Sequence, residues 1–255
     1  MESLMLKSII LFFQFFTVIP INYQINDVNE TMRGGVQYLG LFGLLYGSIL
    51  AIIYSILRIF ITIEGAWLLT LFVDVLLTNG FHHDGFADMA DGMFSSRPRE
   101  RILEIMKDSR MGSNGTIALI FYFMILWQFG SADLANRVTL LHEALIVMSY
   151  GLVVRGGLSL CYYKVTYVSQ SKSGLGSYFE GMQNWQIFLV QVTVSLFLFL
   201  AIDWQALVAY LLAAFSTLIY RQLIYRKIGG MNGDTMGAGA IFCQILYAIF
   251  QGVLA

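Results

Sequence analysis

The run Val36–Thr62, VQYLGLFGLLYGSILAIIYSILRIFIT, decides the fold, because its 27 residues carry a single formal charge, Arg58. A helix needs roughly 20 mostly apolar residues to cross the hydrocarbon of a bilayer. Working outward, comparable runs at 66–81, 116–130, 144–162, 186–202, 206–220 and 237–254 bring the expected number of spans to about seven. The segment 9–20 is shorter and is ended by Pro20, which suits an interfacial or re-entrant element as well as a crossing one. Composition agrees: apolar side chains are 58% and charged ones 12% of the 255 residues, against about 45 to 50% and about 25% in ordinary globular chains. A soluble surface is excluded, and so is disorder, because so apolar a chain cannot stay solvated. The expectation is an all-α, polytopic integral membrane helix bundle, one membrane domain over 1–255 with the lipid bilayer as its partner. Whether it forms a homo-oligomer is left open.

Fifteen Lys and Arg against sixteen Asp and Glu give no global field to attract nucleic acid, so none is expected as a partner. Cys161 and Cys243 lie inside apolar runs and read as packing residues, since two thiols close neither a disulfide framework nor a zinc site. Lys7 before an apolar stretch resembles a secretion signal, but no small-residue cleavage site follows, and the segment is expected to stay in the mature chain.

Orientation follows from the excess of Lys and Arg in cytoplasmic connections. With 82–115 inside, 163–185 and 221–236 are inside too, and this side gathers Arg97, Arg99, Arg101, Lys107, Arg110, Lys164, Lys172, Arg221, Arg226 and Lys227. The outward connections 131–143 and 203–205 hold only Arg137, and Arg33 and Arg58 fall on sides consistent with this. A multi-pass protein of the cell membrane is expected, with its chemistry on the cytoplasmic side.

Residues 82–112 hold eleven of the 31 charged residues and open with His82-His83-Asp84-Gly85-Phe86-Ala87-Asp88-Met89-Ala90-Asp91-Gly92. On a helix Asp84, Asp88 and Asp91 fall within about 60° of one another. Like charges so placed repel by a few tenths of a kcal/mol per pair. A divalent cation removes that penalty, and carboxylates without thiols favour Mg²⁺ or Mn²⁺ over zinc. The three aspartates are therefore the candidate metal ligands, the other reading being a solvated acidic face at the membrane surface. Next comes Glu104-Ile105-Met106-Lys107-Asp108-Ser109-Arg110-Met111-Gly112-Ser113-Asn114-Gly115. Lys107, Ser109 and Arg110, with backbone N–H groups at a glycine-relieved helix start, can cradle phosphate oxygens. Asp108 is either a further metal ligand or the partner of Arg101 or Lys107, and the whole stretch also reads as a basic membrane anchor.

Ionisable groups inside the bilayer are costly and call for a function or a partner. Arg155, within a span, is a candidate phosphate contact, the alternative being a structural pair with Asp74. Gly229-Gly230-Met231-Asn232-Gly233-Asp234-Thr235-Met236-Gly237-Ala238 follows the basic group Arg221, Arg226 and Lys227. Gly229, Gly233 and Gly237 suit close helix packing, but Asp234 is not explained by packing and could complete a metal or ribose contact. The twelve Met and the many aromatic residues read as packing or lipid-facing groups.

Three motifs give the chain a family resemblance: His82-x-Asp84-Gly85-x-x-Asp88-x-x-Asp91-Gly92, Met106-Lys107-Asp108-Ser109-Arg110-x-Gly112-x-x-Gly115 and Gly229-Gly230-x-x-Gly233-Asp234-x-x-Gly237-Ala238. With weaker echoes at Phe15–Pro20, Gly43–Gly47 and Arg155, the chain resembles the cobalamin synthases, or adenosylcobinamide-GDP ribazoletransferases, nearly end to end. It departs from their pattern at Val18, where Arg is common, at Asn232, where Thr is common, and at Gln244, where Glu is common; these three are assigned no role. The resemblance implies a membrane enzyme that joins α-ribazole, or its 5′-phosphate, to adenosylcobinamide-GDP with release of GMP and a need for Mg²⁺. It also implies that Asp84, Asp88 and Asp91 hold the metal against the diphosphate, that Lys107, Arg110 and Arg155 meet its oxygens, and that His82 or an aspartate is the base.

Two rival readings are a CDP-alcohol phosphotransferase and an ion-coupled transporter. The first usually has Ala-Arg after its initial Asp-Gly-x-x, and no Ala-Arg follows Asp84-Gly85 here, where the chain reads Phe86-Ala87-Asp88-Met89. The second finds no inverted repeat here.

Overall fold

The computed structural model describes residues 3–168, 178 and 181–254, and so leaves out Lys172, one of the cations counted toward the cytoplasmic side. The described chain forms eleven α-helices, α1 (Leu4–Phe16), α2 (Val28–Gly35), α3 (Leu39–Arg58), α4 (Ile63–Thr78), α5 (Phe81–Met93), α6 (Arg99–Ile105), α7 (Ser113–Ala135), α8 (Leu140–Cys161), α9 (Asn184–Phe197), α10 (Trp204–Ile228) and α11 (Gly233–Leu254), with a short 3-10 turn at Val36–Tyr38 and a π turn at Leu198–Ile202. Among the described residues the extended structure is one isolated bridge, Tyr167 to Met231.

Six stretches are long and apolar enough to cross a membrane: Val28–Arg58, Ser113–Ala135, Leu140–Cys161, Asn184–Ile202, Trp204–Ile228 and Gly233–Leu254. The seventh apolar run is α4, which meets that test only together with α5, and the two are bent from each other by 90°. The expected all-α polytopic bundle is thus the observed one. The doubtful N-terminal segment is α1, whose 13 residues are too few for a straight crossing.

Local chemistry sets the helix ends. Thr62, Thr139 and Asp203 cap α4, α8 and α10 by accepting the N–H of Gly65, His142 and Ala206. Asn79 and Gly80 both adopt left-handed backbone, φ 49° and 64°, and this pair ends α4 and turns the chain into α5. At the end of the bundle remote from α5, Arg58 pairs with Glu143 at 2.9 Å, and Arg137 bridges Asp133 and Asp203 at 2.6 and 2.9 Å.

Helix α8 runs through the middle, with nearly its whole second half buried. Small residues let its neighbours approach: a Cβ on Gly47 of α3 would strike the Met148 carbonyl, and one on Gly157 would strike Cys243 of α11. Cys161 and Cys243 are buried free thiols, as their apolar settings suggested. The three glycines Gly229, Gly233 and Gly237 do not form one packing stripe. Gly229 ends α10 with φ 79°, no atom crowds Gly233, and Gly237 faces His82.

Candidate active site

Helix α5 carries the acidic motif across the end of the bundle, beside the starts of α7 and α11. His82 and His83 occupy its first turn and are buried, whereas Asp84 is exposed and Asp88 and Asp91 are half-buried. The shared face predicted for the three aspartates is therefore the accessible one. Gly85 admits α11 to this helix, since a Cβ there would lie 3.0 Å from the Asp234 Cα and carbonyl oxygen. Asp234 is thereby brought into the electrostatic field of Asp84 and Lys107. Asn232 steers it, donating from Nδ2 to Asp234 Oδ2 at 3.0 Å while its own Oδ1 accepts the Thr235 N–H at 2.9 Å.

Helix α5 is bent by 90° from α4. Asp88 is raised to about 7, first by burial and then by the negative charges of Asp84, Asp234 and Asp91. Asp91 is held differently. Its two oxygens accept the N–H groups of Gly112, at 2.7 Å, and Gly115, at 2.9 Å, so it covers the N-terminus of α7 from a distant position in sequence.

Between the end of α5, α6 and the start of α7 lies a recess of about 200 Å³, lined among others by Asp91, Arg101, Glu104, Asp108, Arg110 and Ser113. The partners offered for Asp108 from sequence, Arg101 or Lys107, are not the ones it takes. Asp108 accepts from Arg110 Nε and Nη2 at 3.0 and 2.7 Å, and these bonds hold its carboxyl down to about 2. Arg101 pairs instead with Glu104 at 2.7 Å. Lys107 and Ser109 are exposed beside the recess.

Arg155 is not at the surface with them. It is 2% exposed, and its guanidinium carbon sits 5.4, 4.9 and 5.2 Å from the ring centres of Phe16, Phe42 and Tyr46. Among the described residues it forms no ion pair with Asp74, whose carboxylate instead accepts from the Tyr46 hydroxyl. Arg155, Asp74, His82, His83 and Gln244 line one small enclosed cavity behind α5. His82 thus faces inward, away from the exposed aspartates. His83 lies 3.3 Å from the Tyr122 hydroxyl, which donates to Gln244 Oε1 at 2.8 Å.

Several contributors carried no clear sign in the sequence. Asn232 and Gln244 stood out only as departures from a family pattern, yet one orients Asp234 and the other anchors Tyr122. Lys227 donates to the Met93 carbonyl at 2.7 Å, a cation on the last turn of α5, and its signal was only its place in a basic cluster.

No three His, Cys, Asp or Glu side chains among the described residues form a ready-made metal cage. Zinc or calcium would need such a cage. Mg²⁺ instead keeps several waters and binds through one or two carboxylates plus substrate phosphates, and the mutually repelling Asp84, Asp88 and Asp234 are a donor set of that kind.

The family model described as cobalamin-5-phosphate synthase matches residues 8–251. An adenosylcobinamide-GDP ribazoletransferase from Listeria monocytogenes serotype 4b (strain CLIP80459) is 40% identical, over 94% of this chain and 98% of that protein. Proteins with the same name from Clostridium novyi (strain NT) and Caldanaerobacter subterraneus subsp. tengcongensis are 36% and 34% identical, over 96% and 98% of this chain and 96% and 99% of their own lengths. No solved structure matches the chain.

Proposed function

The chain belongs to the cobalamin-5-phosphate synthase family, and we propose that it joins α-ribazole, free or 5′-phosphorylated, to adenosylcobinamide-GDP with release of GMP, on the cytoplasmic face of the cell membrane and with Mg²⁺. The observation that carries this reading is the meeting of two charge types at one end of the bundle. Asp91 of α5 lines a recess rimmed by Arg101 and Arg110, and Asp88 one turn before it feels the charges of Asp84, Asp234 and Asp91. Transfer from a diphosphate asks the protein for little covalent chemistry; it asks for charge neutralisation and for an attacking group held in line.

Asp84 and Asp234 are the proposed ligands of Mg²⁺, with Asp88 as their neighbour; a bound Mg²⁺ supplies charge neutralisation on the diphosphate. Lys107 and Arg110 are exposed and are the proposed contacts of the phosphate oxygens. Arg110 would trade its contact with Asp108 for them. In the transfer, a ribose hydroxyl of α-ribazole forms the new P–O bond to the cobinamide-side phosphorus as the P–O bond to GMP breaks. The hydroxyl proton goes to a base within hydrogen-bond reach. Asp88 suits this better than His82, since it is accessible and holds a proton up to about 7, whereas the ring nitrogens of His82 are enclosed. Asp91 keeps the start of α7 against α5, and Arg155 and His82 support α5 from behind.

The test is to incubate the purified protein with adenosylcobinamide-GDP, α-ribazole and Mg²⁺, and to follow the cobamide by mass spectrometry together with GMP. Product is expected from the native chain, and Asp84→Asn and Asp88→Asn should each lose at least about a hundredfold in turnover, the lower end for a general base. Absence of the cobamide from the native chain would overturn the reading, and full turnover in both variants would overturn the assignment of the acidic face.

A further inference from the structure

Far along α1 from the acidic face there is a second opening at the same end of the bundle. It is a groove of about 660 Å³ between α2, the start of α3 and the start of α9, and its wall includes Asn29, Glu30, Arg33, Gln37, Gln183 and Trp185. Three of these are carboxamides, and the single cation and single anion cancel. Trp185 offers an indole face, with 54% of its surface exposed. The wall is also set in advance. The neighbouring Gln186 is buried, donates to the Arg33 carbonyl at 2.9 Å and to Gln37 Oε1 at 2.7 Å, and accepts the Gln183 N–H at 3.0 Å.

Helix α1 connects this groove to the acidic face. Its first residue, Leu4, lines the groove. Its last turn packs Phe15 and Phe16 on Phe81 and His82 of α5. Thirteen residues at 1.5 Å each place the two openings on the order of 20 Å apart. A ligand that used both would be long, with a phosphate-bearing part at one end and a broad, amide-rich part at the other.

Resting on the function proposed above, we infer that this groove holds the corrin end of adenosylcobinamide-GDP, a macrocycle edged with carboxamides whose alkylated Co(III) leaves it a single net positive charge. Amides on the ligand meet groups that both donate and accept in Asn29, Gln37 and Gln183, while Glu30 accepts and Arg33 donates. An edge of the ring lies against the indole of Trp185. A nucleotide end fits less well, because Glu30 offsets Arg33 and leaves no net positive charge for phosphate.

The experiment uses the full-length protein in detergent with Mg²⁺ and two readouts: the KM for each substrate, and equilibrium dialysis of cobinamide itself, which lacks the nucleotide. Trp185→Ala combined with Gln183→Ala should raise the KM for adenosylcobinamide-GDP and weaken cobinamide binding by about tenfold or more, as loss of an aromatic anchor does elsewhere. The kcat at saturation and the KM for α-ribazole should stay unchanged, which also shows that the variant is folded. Trp185→Phe should retain most of the affinity. Unchanged cobinamide binding and KM in the double variant would overturn the inference while leaving the proposed reaction standing. Weakened inhibition by GMP without a change in cobinamide binding would overturn it as well, by assigning the groove to the nucleotide. A native chain that makes no cobamide would remove the proposed function together with this inference.

Discussion

Asp88 is half-buried among like charges and titrates at about 7 when folded, whereas in an unfolded chain it would titrate near about 3.9. The folded state therefore keeps a proton that the unfolded chain has released. Stability from this group is fully present below the unfolded value and is lost as pH rises toward about 7. A divalent cation on the same face cancels that loss, so heat stabilisation by Mg²⁺ in detergent should grow between about pH 6 and about pH 8. In Asp88→Asn the gain should shrink and lose its pH dependence; equal gains at both pH values in both proteins would separate Asp88 from the cation. Arg155 poses a different problem, an enclosed guanidinium stacked on three rings with Nε and Nη2 unpaired. The cavity it shares with Asp74 is about 20 Å³, room for one bridging water. Arg155→Met and Asp74→Asn should consequently be coupled, the double variant being less destabilised than the sum of the two by roughly 0.5 to 3 kcal/mol. Additive losses of heat stability would mean that the two residues act separately. The common face of Asp84, Asp88 and Asp91 could be read from spacing alone. The partnership with Asp234 could not, because it depends on Gly85 letting a helix from the other end of the chain touch α5.

Among the helices, α5 and α7 show how a loop becomes a site. Asp91 meets two N–H groups that would otherwise be orphaned at the start of α7, and so fixes the 106–115 connection against α5. Hydrogen bonds to a charged group contribute about 1.5 to 3 kcal/mol. Asp91→Asn, which keeps one acceptor oxygen and forfeits the charge, should lower the temperature of half-inactivation while leaving the additional stabilisation by Mg²⁺ intact. Loss of the Mg²⁺ effect in that variant would return Asp91 to the metal ligands. Gly115→Ala tests the same contact from the other side, since its Cβ would sit 2.5 Å from Asp91 Oδ2 and 2.9 Å from the Ala87 carbonyl. Forced apart, α5 and α7 should lose about 1 to 3 kcal/mol. The spans themselves were legible, because an apolar run of about 20 residues has few other uses. The right-angled turn into α5 was not, although Asn79-Gly80 is a pair that readily takes left-handed backbone. Which side of each span faces the core was also hidden, since helices such as α7 are apolar all round and show no polar stripe to mark the lipid side.

For the molecule as a whole, the proposed function requires the acidic face and the recess beside it to open on the side where nucleotides are made, and the excess of Lys and Arg at that end supports the proposed cytoplasmic side. The opposite end offers a clean reporter. Val138, in the short connection between α7 and α8, is 94% exposed. Phe94, just past the end of α5, is 69% exposed at the charged end. The two native thiols, Cys161 and Cys243, are both buried and should contribute little background to labelling. In intact cells or spheroplasts, Val138→Cys should react with a membrane-impermeant maleimide, and Phe94→Cys should react only after the membrane is opened. The reverse pattern would put the acidic face outside, where neither nucleotide substrate is supplied, and would be incompatible with the proposed reaction in the cell. Labelling of both positions without permeabilisation would contradict the alternation of spans, since α7 lies between the two sites and is long and apolar enough to cross once. Turnover measured on the same two variants closes the test. Both positions lie outside the carboxylates and the recess, so each variant should keep the activity of its parent, and a labelled Phe94→Cys should then slow the reaction by crowding the end of α5 while a labelled Val138→Cys leaves it unchanged.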